Sequence, residues 1–281
     1  MSIKLFILGR PGSGKSTAFR YIEEYLRQRY SNWTITRYND YDILQEMSKR
    51  EKLFPPKKKK FETKELDGFD VLDFTVLDEV LSIIEKSVRA RSSKKKEELV
   101  IIEFARQDYN QALGLFSDSF LKDSYFLFLD ADLKVCVQRV KDRVTFPPTP
   151  DNHFVSDNIL TGYYGKQVIP PVIKTKKGEW VDKDRTGMIS NCGSLHELRL
   201  KIEDFIYYIM ADSLSITQPH PIVPIKQRRA LITIPHPLFT FSNHKKAAHK
   251  VQSTKTWFAY KMLQKKYQGK HKSSTLQPSD R

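Results

Sequence analysis

Gly9, Gly14, Lys15 and Ser16 stand at the spacing G-x-x-x-x-G-K-S, inside the run GRPGSGKST. Each residue type there suits a polyphosphate. Glycine accepts positive φ and lets the backbone approach closely, so successive amide hydrogens can converge on one phosphate. A lysine brings a point charge to the outer phosphates, and a serine hydroxyl is a ligand for Mg2+. A helix starting at the loop adds the positive end of its dipole. The whole run of Gly9, Arg10, Pro11, Gly12, Ser13, Gly14, Lys15, Ser16 and Thr17 is therefore expected to wrap a nucleotide phosphate.

Such a loop needs a strand before it and a helix after it. Residues 3–8 form a short apolar run that reads as a buried strand, and residues 16–29 place Phe19, Ile22 and Leu26 on one helical face. Further strands are expected over 33–38, 99–104, 125–129 and 187–190, and helices over 71–91, 133–144 and 194–210. Ser194 with Glu197 three residues on has the form of a capping box. Residues 43–70 read as a helix start followed by an exposed loop, and the proline-rich stretch of about 144–178 as a lid with one short helix near 155–164. Strands alternating with helices predict an α/β fold, a five-stranded parallel sheet covered on both faces.

Charged side chains cluster at the expected carboxyl ends of strands, where open α/β sheets bind ligands. Asp40 and Asp42 follow the second strand. Either can take the proton of an acceptor hydroxyl, with Asp40 preferred, and either can instead cap the next helix. Glu103 closes an apolar strand, where it can serve a metal shell or pair with Arg106. Arg106 can grip an acceptor or form that ion pair. Arg139 and Arg143 are four apart and share a helix face, suiting a phosphate clamp or a solvated surface.

Composition bounds the rest. Of 281 residues, 40% are hydrophobic, enough for a sizeable core, and no apolar run has the length of a bilayer span. The amino end turns polar too soon for a secretory signal, so a soluble, cytoplasmic protein is expected. Cys136 and Cys192 lie far apart, with no zinc-type spacing. The net charge of +15 is concentrated at one end: residues 218–281 carry 13 Lys and Arg against a single acid, Asp280. Phe239, Phe241, Trp257, Phe258, Tyr260 and Tyr267 are interleaved with that charge. The combination suits single-stranded nucleic acid, an anionic surface or an acidic partner, and also a solvated appendage.

Taken together, GRPGSGKST, NDYD at 39–42, FLDADLKVCVQRVKDR at 128–143 and ISNCGSLHEL at 189–198 resemble the P-loop kinases of the nucleoside and nucleoside-monophosphate kinase superfamily, similar in layout to shikimate, uridine and polynucleotide kinases. The resemblance implies a kinase domain over 1–214 with a helical lid, and a basic extension over 215–281 that has no counterpart in the family. It implies ATP as donor, with GTP not excluded, Mg2+ as cofactor and a small nucleoside-like acceptor. By the same resemblance Asn191 and Gly193 come near the base, Asp40 and Arg106 meet the acceptor, Ser16 and Glu103 serve the metal, and Lys15, Arg139 and Arg143 assist transfer. Three activities fit: a small-molecule kinase, a nucleic-acid 5′-end kinase guided by the tail, and a nucleotide-gated regulatory module.

Overall fold

Alternation along the first strand, β1 (Ser2–Leu8), decides how the sheet is covered: Phe6 and Leu8 enter one apolar cluster, Leu5 and Ile7 the other. The computed structural model describes residues 2–64, 68–91, 97–144, 148–149, 151–170, 172–175, 177–179, 181 and 183–214. After β1 come α1 (Lys15–Arg29), β2 (Thr34–Asn39), α2 (Asp40–Leu53), a hairpin of β3 (Phe61–Thr63) and β4 (Phe69–Val71), and α3 (Thr75–Arg91). Then follow β5 (Glu98–Phe104), α4 (Tyr109–Leu113), α5 (Asp118–Lys122), β6 (Ser124–Asp130), α6 (Leu133–Arg143), β7 (Thr186–Ser190) and α7 (Leu195–Ser213).

Five strands pair in parallel in the order β2-β5-β1-β6-β7. In this order β1 is central, so the loop that leaves it emerges at the middle of the sheet's carboxyl edge. β5 is buried along its whole length, as a parallel strand covered on both faces should be. On one face Phe6, Phe104 and Phe126 pack against Val80, Leu81 and Ile84 of α3 and against Tyr109, Phe116 and Phe120. Phe6 stacks on Phe126 at 4.9 Å and meets Phe116 edge-on at 5.2 Å. On the other face Leu5, Ile7, Leu99 and Leu127 meet Ala18, Ile22 and Leu26 of α1 and Ile202, Ile206 and Ile209 of α7. The result is a three-layer α/β sandwich.

Several elements differ from expectation. The helix start foreseen at 43 is part of α2, and the exposed loop expected after it gives way at residue 61 to the β3–β4 hairpin, whose three-residue strands are too short to show a period of two. Val71 belongs to this hairpin, so α3 begins only at Thr75, where Asp73 accepts from the Thr75 amide at 3.1 Å. In the stretch expected to form a lid, helix among the described residues runs over 157–166 and includes a π-helical turn at Ile159–Tyr163 and a 3-10 turn at Tyr164–Lys166, where Leu160 and Tyr164 pack on Val140 and Ala105. Ser194 caps α7 as expected, accepting from the Glu197 amide at 3.2 Å. The basic extension from 215 lies outside the described residues.

Candidate active site

Between Leu8 and Lys15 the chain turns tightly and then starts α1. Gly12 and Gly14 have φ of 83° and 104°, in the left-handed region. A Cβ on Gly12 would strike the backbone of Cys136 on α6, and one on Gly14 the Asn191 amide, so space excludes a side chain as well. The Ser13 amide donates to Arg10 O at 3.1 Å, closing the turn. The amides of Lys15, Ser16 and Thr17 belong to the first helical turn, whose donors have no partner within the helix. The Ser13 hydroxyl is buried with no partner among the described residues. Lys15 is buried over the loop, its Nζ donating to Gly9 O at 2.7 Å and Arg10 O at 3.2 Å. Burial pulls its pKa below the ordinary lysine value, against the pull of Glu103 and Asp40. This cradle of amides and one buried ammonium fits an anionic phosphate.

Other side chains brace the cradle from behind. Tyr109 Oη accepts from the Gly9 amide at 2.7 Å. Asn191 Nδ2 donates to Ser13 O at 2.8 Å, and Arg139 donates to Gly12 O at 3.5 Å and Asn191 O at 3.2 Å. Arg139 and Asn191 thus hold loop carbonyls. Gly193 is exposed beside the Glu197 carboxylate at the start of α7. The arginine pair on α6 divides its work: Arg143, not Arg139, lines the cleft, with a buried Nε that has no partner among the described residues. At the loop's edges, Arg10 Nε donates to Gln167 Oε1 at 3.2 Å, and Thr17 Oγ1 accepts from Arg20 at 3.3 Å.

The loop opens onto a cleft of about 810 Å3, measured out to its open mouth and lined by Pro11, Gly12, Lys15 and Ser16 together with Asp40, Glu103 and Arg143. Two expectations about its carboxylates need correction. Neither aspartate caps α2, because Asn39 Oδ1 accepts from the Tyr41 amide at 2.8 Å. Arg106 pairs with Asp40 rather than Glu103. Asp40 Oδ2 accepts from Arg106 Nη1 and from the Ala105 amide, each at 3.1 Å, while Oδ1 has no partner among the described residues. Arg106, buried and bonded also to Ala105 O and Leu77 O, stands behind Asp40 and outside the cleft lining. Asp42 is exposed on α2. Partial burial of its carboxyl raises its pKa, more than Arg37 lowers it.

Glu103 is buried and pairs with Arg37, whose Nε donates to its Oε2 at 3.0 Å. Burial pushes the Glu103 carboxyl up, against Lys15 and Arg37. Ser16 and Glu103 offer the hard oxygens that Mg2+ prefers. No group of three or more Asp, Glu, His or Cys among the described residues could hold an ion alone, so phosphate oxygens and water would have to complete the shell. On those terms the donor set fits.

The remaining wall is aromatic and was not foreseen from the sequence. Tyr41 stacks on His153 at 3.8 Å and on Phe69 at 5.6 Å, and Phe74 stacks on Tyr163 at 4.4 Å. Asp70 of the hairpin lines the same cleft at 8% exposure, its Oδ1 buried and unpaired among the described residues, with Lys64 Nζ 3.5 Å from Oδ2. Arg37, Asp70 and Tyr109 are the residues sequence reasoning missed. Arg37 alone left a signal, as a charge within a strand two residues from its carboxyl end.

No protein-family model matches the chain, and no curated protein matches it. Solved structures do. A gluconokinase from Sinorhizobium meliloti 1021 is 15% identical over 77% of this chain and 98% of its own, with a TM-score of 0.45. The APS kinase of Mycobacterium tuberculosis, in complex with AMPPNP and APS, is 12% identical over 73% and 98%, at 0.41. Shikimate kinase from Acinetobacter baumannii, in complex with shikimate, is 12% identical over 77% and 96%, at 0.40.

Proposed function

We propose that the protein is a phosphotransferase that moves the terminal phosphoryl group of ATP to a hydroxyl of a small nucleoside-like acceptor. One observation carries this reading: Lys15 and Ser16 of the phosphate cradle and the carboxylate of Asp40 line a single cleft. Phosphoryl transfer asks for positioning and charge neutralisation more than covalent chemistry, and this cleft is built for both. The loop amides and Lys15 bind the donor's phosphates, and Arg143 supplies a second cation. Asp40 takes the acceptor proton at Oδ1 as the new O–P bond forms and the donor's bridging P–O bond breaks. Arg106 and the Ala105 amide hold the other carboxylate oxygen, fixing Asp40 in place. Ser16 and Glu103 would hold Mg2+, which would supply neutralising charge to the donor's phosphates.

The acceptor class is supported by the rings of Tyr41, Phe69, Phe74 and Tyr164 lining the cleft, which suit a planar group, and by Asp70, which suits a partner with N–H donors. The decisive experiment offers labelled ATP with a panel of nucleosides, nucleoside monophosphates, sugars and oligonucleotides to the full chain and to Lys15→Met. Transfer to nucleosides by the full chain, absent in the variant, is the expected result. Nucleotide binding by calorimetry with no transfer to any acceptor would instead favour a regulatory module.

A further inference from the structure

Arg37 already puts a positive charge where the metal is needed. Its side chain, 17% exposed, reaches Glu103 Oε2 with Nη2 at 2.5 Å, Asp151 Oδ1 at 2.7 Å and Ser16 Oγ at 3.5 Å. The ring of Phe19 lies 4.5 Å from the guanidinium carbon and fixes its plane from one side. Burial alone would raise the pKa of Asp151. The Arg37 and Ser16 hydrogen bonds pull it below its ordinary value instead, as expected for a carboxylate held by a cation.

A guanidinium and a divalent ion drawn to the same oxygens compete, because the two charges repel at close range and each weakens the oxygens' hold on the other. We infer that Arg37 is a resident counter-cation of the metal seat. It keeps Ser16 and Glu103 in place before nucleotide arrives, and metal entry moves it off Glu103 and Ser16 while Asp151, which it already bonds, retains it. The inference rests on reading the glycine-rich loop as the phosphate site. It also ties the metal seat to the acceptor cleft, because Asp151 lies two residues from His153, whose ring covers Tyr41.

The test reads metal affinity, not turnover. Mn2+ is titrated by electron paramagnetic resonance into the full chain saturated with a non-hydrolysable ATP analogue. Arg37→Met removes the competitor and should tighten Mn2+ by about tenfold or more, the scale of a charge-assisted hydrogen bond. Asp151→Asn removes the group that retains the displaced guanidinium and should weaken Mn2+ by roughly threefold to tenfold. A simple structural brace would weaken Mn2+ in both variants, so opposite signs are the supporting result. Looser or unchanged binding in Arg37→Met overturns the inference. If that variant does not fold, Asp151→Asn decides alone: tighter or unchanged binding overturns it. Analogue binding is also measured by calorimetry with Mg2+ present, in the native chain and in Lys15→Met. Equal affinity in the two would overturn the phosphate-loop reading and this inference with it, whereas affinity lost only in Lys15→Met, with unmoved Mn2+ affinity in Arg37→Met, overturns the role of Arg37 alone.

Discussion

The phenol oxygen of Tyr109 accepts the amide hydrogen of Gly9 at 2.7 Å, joining the first residue of α4 to the residue where the phosphate loop leaves the central strand. The same phenol donates to Phe104 O at 3.3 Å, the last residue of β5. Two neighbouring strand ends are thereby tied at the edge where the site forms. Tyr109→Phe would leave the Gly9 amide unpaired in a buried place, which costs about 1–3 kcal/mol. Denaturant melts should show that loss, and calorimetry should show weaker nucleotide binding. Unchanged values in both would remove Tyr109 from the site's support.

Asp40→Asn keeps an oxygen for the Ala105 amide but removes the charge opposite buried Arg106. Transfer should fall by about 10²–10⁴, the range for a lost general base. Stability should drop as well, since Arg106 loses its counter-charge. Nucleotide affinity should stay within about twofold, because Asp40 does not belong to the cradle. Asp42→Asn, on the exposed side of the same helical turn, should leave transfer nearly intact.

Asp42 also gives a pH signature. Its folded pKa lies above the ordinary aspartate value, chiefly through partial burial. The folded state therefore holds the proton more tightly than the unfolded state, and its contribution to stability is present in acid and lost as pH rises through the aspartate range up to the folded pKa. Asp42→Asn should accordingly be slightly more stable than the native chain at pH 7 and lose that advantage near pH 3. Exposure keeps the effect small, so paired melts at the two pH values are required.

Asp70→Asn tests the acceptor wall. The unpaired Oδ1 gives the carboxylate little to lose in the folded protein, so stability should hold or rise. The Michaelis constant for a nucleoside acceptor should climb by about tenfold while that for ATP stays level. Equal change in both constants would show that Asp70 acts on the fold rather than on the acceptor.

Much of this molecule can be read from its sequence, for physical reasons that also set the limit. The tight glycine turn before α1 was legible because its glycines stand where positive φ is needed, and the sheet because residues such as 99–102 are apolar throughout. The exchange of partners among Asp40, Arg106, Glu103 and Arg37 was not legible. It depends on which strand lies beside β5, and only the order β2-β5-β1 brings Arg37 to Glu103. The hairpin carrying Asp70 escaped because its strands have three residues each. Arg139 and Arg143 share a face by spacing, yet a displacement of about one turn along α6 sends one to loop carbonyls and the other to the cleft.

The packing of α1 against α7 gives the proposed nucleotide site a place in the timetable of synthesis. Asn191 supports the Ser13 carbonyl, and α7 covers the apolar face of the helix that carries Lys15, so residues made first depend on residues made last in this domain. A growing chain should gain nucleotide affinity only when α7 has cleared the ribosome exit tunnel, and until then α1 would keep an oily side open to chaperones.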